Sequence, residues 1–314
     1  MAHGNRTLAG IAFGMGAGAL WGLVFLAPAV ARAFGPLQLA VGRYLAYGLL
    51  AAILLAPRRR ETVARLHRGE WRALAVLAML GNTIYYVLLA GAVQLGGIAM
   101  TSLVIGFLPV AVTIIGSRDH GAVALSRLAP SLLLGVAGAA MIGLQSLGKA
   151  PAGEPASGAA GLLCAIGALA SWTCFAVGNS RALARLDHIS AHDWSLLIGV
   201  AAGAQALLLA PLALLLDPGG HDAAQWTLFA ATSAAIGLFA SVIGNALWNR
   251  MSRLLPLTMV GQMILFETLF ALFYGFLWER RLPTVFEALA MVLVVASVLS
   301  CLSAHRPRPV DAAA

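Results

Sequence analysis

Charge is what this chain has least of. Asp, Glu, Lys and Arg together make up 10% of its 314 residues, against about 25% in a soluble domain. Hydrophobic residues fill 61% of it. A soluble chain this apolar would aggregate, so the scarcity of charge excludes a water-exposed domain and makes the bilayer the solvent. Lysine is almost missing: Lys149 stands alone beside 19 Arg residues, a skew that fits a GC-rich bacterial genome and hence an inner membrane. The net charge of +8 does not mark a nucleic-acid binder, because the Arg residues sit in short loops between apolar runs.

Cysteine is scarce as well. Cys164 and Cys174 lie ten apart on one helical run, about 15 Å along its axis and beyond disulfide reach, and Cys301 falls in the last apolar run. This excludes a disulfide framework. No spacing fits a metal motif, no G-x4-GK[ST] phosphate loop is present, and no cofactor is expected. None of the His residues falls inside an apolar run, which argues against a His-based proton relay. His188 and Asp193 fit the H-x4-D spacing of acyltransferases, but the other members of such a site are missing.

Long apolar runs are what the chain does have. A span needs roughly 20 apolar residues, and ten are expected near 8–31, 37–56, 73–94, 97–116, 128–147, 159–180, 193–216, 225–248, 254–277 and 284–303. Turn residues separate them: Phe34-Gly35-Pro36, Gly96-Gly97, Asp217-Pro218-Gly219-Gly220 and Leu282-Pro283. Ala31-Arg32-Ala33 looks like a signal-peptide cleavage site, but the preceding run is longer than a usual h-region, so helix 1 reads as a retained span. The polar, Pro/Gly-rich stretch 148–158 is the natural linker. The fold class is therefore an all-α integral membrane protein of ten transmembrane helices. Residues 1–147 form a first five-helix unit, 159–303 a second, and 304–314 a tail.

The second unit repeats the first. At a constant offset of 159, Leu88 matches Leu247, Met100 matches Met259, Ile105 matches Ile264, Phe107 matches Phe266 and Gly116 matches Gly275. An odd number of spans per unit sets the two copies upside down relative to each other, and inverted repeats are the signature of alternating-access carriers. Charge orients them. With the N-terminus inside, the inner loops hold 15 basic residues, among them Arg58, Arg59, Arg60, Arg65, Arg68 and Arg72; the outer loops hold four, Arg32, Lys149, Arg280 and Arg281. Positive charge stays in the cytoplasm, which puts both termini there. The stretch Arg58–Arg72 can lie on the inner surface as a short amphipathic helix against anionic lipid. Gly14, Gly18 and Gly22, and Gly199 and Gly203, recur four apart on single helix faces, a spacing that lets backbones approach closely.

These features resemble the drug/metabolite transporter superfamily, specifically its EamA-type ten-helix members. The residues carrying the resemblance are Ala-Leu-Trp-Gly at 19–22, Gly-Arg-Tyr at 42–44, Phe-Leu-Pro-Val-Ala at 107–111, Ala-Leu-Trp-Asn-Arg at 246–250, Phe-Glu-Thr-Leu-Phe-Ala-Leu at 266–272 and Trp-Glu-Arg-Arg-Leu at 278–282. The chain departs from the family's habit at Thr268, where Pro is frequent, and at Trp278, where Gly is usual. The resemblance implies a secondary carrier exporting a small metabolite, amino acid or drug, with a cavity lined by helices 1, 3, 4, 6, 8 and 9. The lipid bilayer and a small-molecule substrate are the implied partners, with protons as a candidate coupling ion and a homodimer as a candidate assembly. A membrane-embedded enzyme or a sensor without transport is the alternative class, and either would require a clustered catalytic set.

Two charges lie deep inside spans, Arg43 and Glu267, where an ionisable group costs at least about 2.5–3.5 kcal/mol. The repeat counterpart of Glu267 is Leu108 and the approximate counterpart of Arg43 is Leu197, both apolar, so each charge breaks the pseudo-symmetry. They read either as a buried ion pair that fixes packing or as a substrate- and proton-binding set. Trp21 and Trp172 occupy equivalent mid-span positions, away from the interfacial belts where Trp concentrates. With Tyr85, Tyr86 and Phe107 they can wall an aromatic cavity for an apolar or cationic substrate; ordinary packing is the alternative. Asn82 and Asn245, each following a Gly near mid-span, are candidates for interhelical or substrate hydrogen bonds. Trp71, Trp194, Trp226 and Trp278 sit at span ends as interfacial anchors. Reporter fusions after Arg308 and within 152–157 check the topology: the first should report a cytoplasmic and the second a periplasmic location, and the reverse pattern overturns the orientation.

Overall fold

The structure, a computed structural model, describes residues 2–31, 33–118, 123–147, 155–216 and 219–305. Most of the expected 148–158 linker and nearly all of the 304–314 tail lie outside the described residues. Fifteen α-helices follow one another, with no strand among the described residues. They are α1 Ala2–Gly22, the one-turn α2 Ala27–Val30, α3 Pro36–Leu55, α4 Arg59–Ala64, α5 Arg68–Ala78, α6 Tyr85–Ile105, α7 Leu108–Gly116, α8 Leu125–Leu147, α9 Pro155–Arg185, α10 Ala191–Leu215, α11 Ala223–Ile236, α12 Asn245–Leu254, α13 Leu257–Met263, α14 Leu265–Glu279 and α15 Val285–Ala304. A π-helical segment, Met79–Ile84, joins α5 to α6, and another, Gly237–Gly244, joins α11 to α12.

Among the described residues, eight helical stretches are long and apolar enough to cross a bilayer: Arg6–Phe25, Pro36–Ala64, Arg68–Ala92, Ala159–Arg185, Ala191–Leu215, Ala223–Leu254, Leu257–Trp278 and Val285–Ala304. The expected spans 97–116 and 128–147 are not among them. In place of a turn at Gly96-Gly97, α6 continues unbroken to Ile105, and the interruption comes at Gly106-Phe107. The corresponding site in the second unit, Leu255-Pro256, does break, with Leu255 extended at φ −114° and ψ 145°. Proline removes an N–H and biases the residue before it out of the helical region. A Gly pair weakens a helix by only about 1 kcal/mol per residue, less than the loss of backbone hydrogen bonds away from water. Of the expected fifth span, Leu125–Gly138 is a shorter apolar stretch.

Polar side chains secure the helix ends. Thr284 Oγ1 accepts from the Glu287 backbone N–H at 3.3 Å, while Glu287 Oε2 accepts from the Thr284 N–H at 2.7 Å, a capping box. The Arg281 guanidinium grips the same Glu287 carboxylate in a fork, at 2.7 and 2.8 Å. Asp222 with Gln225 repeats the box at α11, and Ser190 caps α10. Apolar side chains cover the outside: Leu207, Leu208, Leu214 and Leu215 of α10 and Val292 and Leu299 of α15 are exposed, as lipid-facing positions must be. One anchor expectation is corrected. Trp71, Trp226 and Trp278 are exposed, but Trp194 is fully buried. Its Nε1 donates to Asn179 Oδ1 at 2.9 Å, and Asn179 Nδ2 in turn donates to Asn249 Oδ1 at 2.7 Å. An indole N–H with a buried acceptor has no need of the interface.

The bundle is held by close pairs: α3 with α10, α6 with α9, α8 with α15, α7 with α13, and α1 with both α12 and α14. The pair α3–α10 is the tightest in backbone terms. A Cβ built on Gly203 would lie 2.6 Å from the Gly48 Cα, and one on Gly48 would lie 2.5 Å from the Gly203 Cα. Gly203 therefore works as the four-residue spacing suggested, by removing the side chain that would hold two backbones apart. Gly203→Val should lower the thermal stability of the detergent-solubilised protein by the ~1–3 kcal/mol typical of overpacking. Gly69→Ala, which meets no atom within 4 Å, should leave it unchanged or slightly raised. Equal melting temperatures for wild type and Gly203→Val would show that α3 and α10 do not cross here.

Candidate functional site

The site begins with two irregularities in the backbone. The π segments lie at equivalent repeat positions, since Met79 and Ile84 plus 159 fall at 238 and 243, within Gly237–Gly244. A π segment spaces its hydrogen bonds one residue further and leaves a main-chain carbonyl without its helical partner. Both segments have a side chain supplied from the first helix of a unit. Trp21 Nε1 on α1 donates to Ala240 O at 3.0 Å, and Ser171 Oγ on α9, beside Trp172, donates to Leu80 O at 2.7 Å. The bulges thereby fix where Trp21 and Trp172 sit. Trp21 and Trp172 meet edge to face with ring centroids 5.8 Å apart, and both contact Trp248 of α12, at 4.9 and 5.4 Å.

A third irregularity lies in the helix pair α13–α14. It breaks at Ile264, and the interruption after Ile105 falls at the matching position of the first unit. Glu267 lies in the first turn of α14, where the helix dipole favours negative charge. The backbone of α1 presses on that turn: a Cβ on Gly18 would lie 2.8 Å from the Glu267 backbone nitrogen and 2.6 Å from the Phe266 Cβ. Gly14 and Gly22 approach Met263 and Ala271 on the same pair, so the glycine face of helix 1 is the surface that seats the broken helix.

These elements line a cavity of about 30 Å³, walled by Trp21, Val24, Phe25, Arg43, Tyr44, Gly81, Asn82, Tyr85, Leu89, Trp172, Phe175, Asn245 and Glu267. That is room for about two waters. Arg43 is buried. Its Nε donates to Ser241 Oγ at 3.0 Å, and its guanidinium carbon lies 4.9 and 5.1 Å from the Tyr86 and Tyr44 ring centroids. Asn245 Nδ2 donates to the Tyr47 hydroxyl at 3.3 Å, which itself donates to Ser195 O at 2.8 Å.

Seven of the expected site residues thus line one chamber: Glu267, Arg43, Trp21, Trp172, Tyr85, Asn82 and Asn245. Tyr86 stands outside it, beneath the guanidinium. Phe107 does not line it; it lies in the interruption itself, as the residue that precedes α7. Helix 2 contributes Arg43 and Tyr44 to the lining, to which no described side chain of the expected helix 4 is added. Arg43 and Glu267 share the chamber but do not pair: no Glu267 oxygen comes within 4.0 Å of an Arg43 nitrogen. The direct ion pair is corrected accordingly. Arg43 turns to Ser241 and two ring faces, which satisfy a guanidinium without a carboxylate. Trp248, Ser241, Phe175 and Tyr44 were missed from the sequence. Trp248 carried a signal, because Ala-Leu-Trp occurs at both 19–21 and 246–248. His188 and Asp193 part company: Asp193 pairs with Arg58 at 3.3 Å and accepts from the Ser190 hydroxyl at 2.7 Å, while His188 faces Glu70.

The model of the EamA-like transporter family matches residues 8–144 and 159–303, which together cover most of the chain. The chain belongs to the EamA-like transporter family. The inner membrane protein YtfF of Escherichia coli (strain K12) is 29% identical over 323 aligned positions, spanning 96% of this chain and 97% of that protein. A protein of known crystal structure, 21% identical, superposes with a TM-score of 0.71 over 97% of this chain and 100% of its own, a likeness of fold alone. The chain is therefore a multi-pass membrane protein of a transporter family. Trp21→Phe should cost ~1–3 kcal/mol of stability by leaving the Ala240 carbonyl unsatisfied, and Ser171→Ala should cost a similar amount at Leu80. Unchanged unfolding of both variants would mean that water, not these side chains, serves the bulges.

Proposed function

We propose that the chain is a secondary-active exporter of small zwitterionic or amphipathic metabolites, amino acids among them, working by alternating access. The observation that carries this is a chamber lined by one cation and one carboxylate that make no direct ion pair, together with Trp21 and Trp172. Unpaired opposite charges in a low-dielectric pocket favour a ligand that brings both signs, and the aromatic wall favours an apolar or cationic body. Two stretches matching one family, matched π segments and matched breaks at Ile105 and Ile264 support a ten-span architecture of two inverted repeats. In that architecture the two units rock about the chamber. The Arg asymmetry of the loops supports an inner-membrane orientation with both termini cytoplasmic.

Glu267 is the proton-coupling group of this reading. It stands in the chamber wall, at the start of a half-helix against which α1 packs, so the helix that carries the carboxylate also moves when α1 and α14 slide. A carboxylate that takes up a proton when substrate leaves, and loses it when substrate binds, links proton entry to substrate export. Glu267→Gln keeps size and hydrogen bonding and removes the titration. In proteoliposomes loaded with amino-acid mixtures, it should abolish proton-driven accumulation while downhill exchange continues at a measurable rate. Wild-type uphill transport in Glu267→Gln refutes the coupling role, and loss of exchange together with uphill transport assigns Glu267 to binding or folding alone.

A further inference from the structure

Away from the chamber, on the Arg-rich face, three metal-ligating side chains from two distant parts of the chain converge. His67 precedes α5, Glu70 lies in the first turn of α5, and His188 lies in the loop between α9 and α10. One imidazole nitrogen from each His and one Glu70 carboxylate oxygen all fall within 4.8 Å of one another. Two edges of that triangle meet at Glu70 Oε2: His67 Nδ1 stands 3.5 Å from it and His188 Nε2 3.4 Å. Ligands at about 2.0–2.2 Å from a tetrahedral Zn²⁺ stand roughly 3.3–3.5 Å apart, so two edges already have nearly the length an ion needs. The third edge is at most 4.8 Å, and the largely exposed His67 ring is free to rotate inward and shorten it.

We infer that His67, Glu70 and His188 form a divalent transition-metal site, with Zn²⁺ the favoured ion. Two imidazoles and a carboxylate are a donor set that suits Zn²⁺ and leaves a fourth position to water. The carboxylate is held in place, because the His67 backbone N–H donates to Glu70 Oε2 at 2.8 Å. Such outer hydrogen bonds orient a ligand before the metal arrives. The two imidazoles stand edge to face with ring centroids 5.2 Å apart, which keeps their planes from stacking shut over the carboxylate. Two Arg residues of this face are engaged elsewhere: Arg65 with Glu61 and the His188 carbonyl, and Arg58 with Asp193. Mg²⁺ and Ca²⁺, which take oxygen ligands, find a single carboxylate here. An ion held by this set ties the loop before α5 in the first unit to the loop between α9 and α10 in the second. This geometry holds whatever substrate the chain carries.

The test is calorimetric titration of Zn²⁺ into the full-length, tag-free protein in detergent after removal of metals. Wild type should bind one Zn²⁺ per chain, and His188→Ala and His67→Ala should each weaken that binding at least tenfold, with Mg²⁺ giving no heat. Zn²⁺ should also slow amide hydrogen exchange in 65–70 and 186–190 of wild type, and leave both segments unchanged in the variants. Because His67 is largely exposed, His67→Ala keeps the test decisive even where His188→Ala loosens the loop. Absence of Zn²⁺ binding to wild type, or equal affinity in wild type and both variants, overturns the site and refers any bound ion to other His residues.

Discussion

Backbone groups inside a bilayer have no water to turn to, and that one constraint organises this structure. The π segments are where it presses hardest. Each opens the hydrogen-bond ladder of a long helix near mid-membrane, and each opened carbonyl takes its proton from a neighbouring first helix, Trp21 for Ala240 and Ser171 for Leu80. From those two bonds the chamber follows. They set the height and rotation of α1 and α9 against the bulged helices, and with them the meeting of Trp21, Trp172 and Trp248. The first bulge lends Gly81 and Asn82 to the chamber wall, and the second ends just before Asn245, which lines it too.

The same economy governs charge. A buried Arg is satisfied by geometry as much as by an anion: Ser241 supplies an acceptor and Tyr44 and Tyr86 supply two negative ring faces. That frees the Glu267 carboxylate from pairing and leaves it at the start of a half-helix, where the dipole is favourable and α1 lies against the backbone through Gly18. At the ends of the spans, by contrast, opposite charges close up fully. The Arg281–Glu287 fork seals the start of α15, and Arg58–Asp193 ties two loops on the Arg-rich face. Direct ion pairs thus lie at the span ends, whereas Arg43 and Glu267 make none with each other.

Much of the fold was legible in the residues because lipid demands so simple a pattern. Apolar runs of about 20 mark spans, Gly at four-residue spacing marks contacts such as Gly14, Gly18 and Gly22 on α13 and α14, and the mid-span Trp21 and Trp172 are buried against each other. Where the reading failed, a local signal was judged without its surroundings. Gly96-Gly97 looked like a turn, yet α6 runs through it because nothing there removes a backbone donor, whereas Pro256 does so at the matching site. Trp194 looked like an interfacial anchor until Asn179 supplied an acceptor in the interior. Phe107 matched Phe266 in sequence and still fell outside the chamber.

Composition and periodicity alone determined that the chain lives in a membrane, where most of its long apolar helices run, and that Arg43 and Glu267 stand inside them. Those properties are sums over single residues and their neighbours one turn away, so order along the chain suffices to read them. Whether Arg43 touches Glu267, which three of seven Trp residues meet, and that His67, Glu70 and His188 converge across more than a hundred residues were decided only by the tertiary structure. A contact depends on the rotation and depth of two helices at once, and those are set by packing at Gly48–Gly203 and by the bulge hydrogen bonds, far from the residues that finally meet.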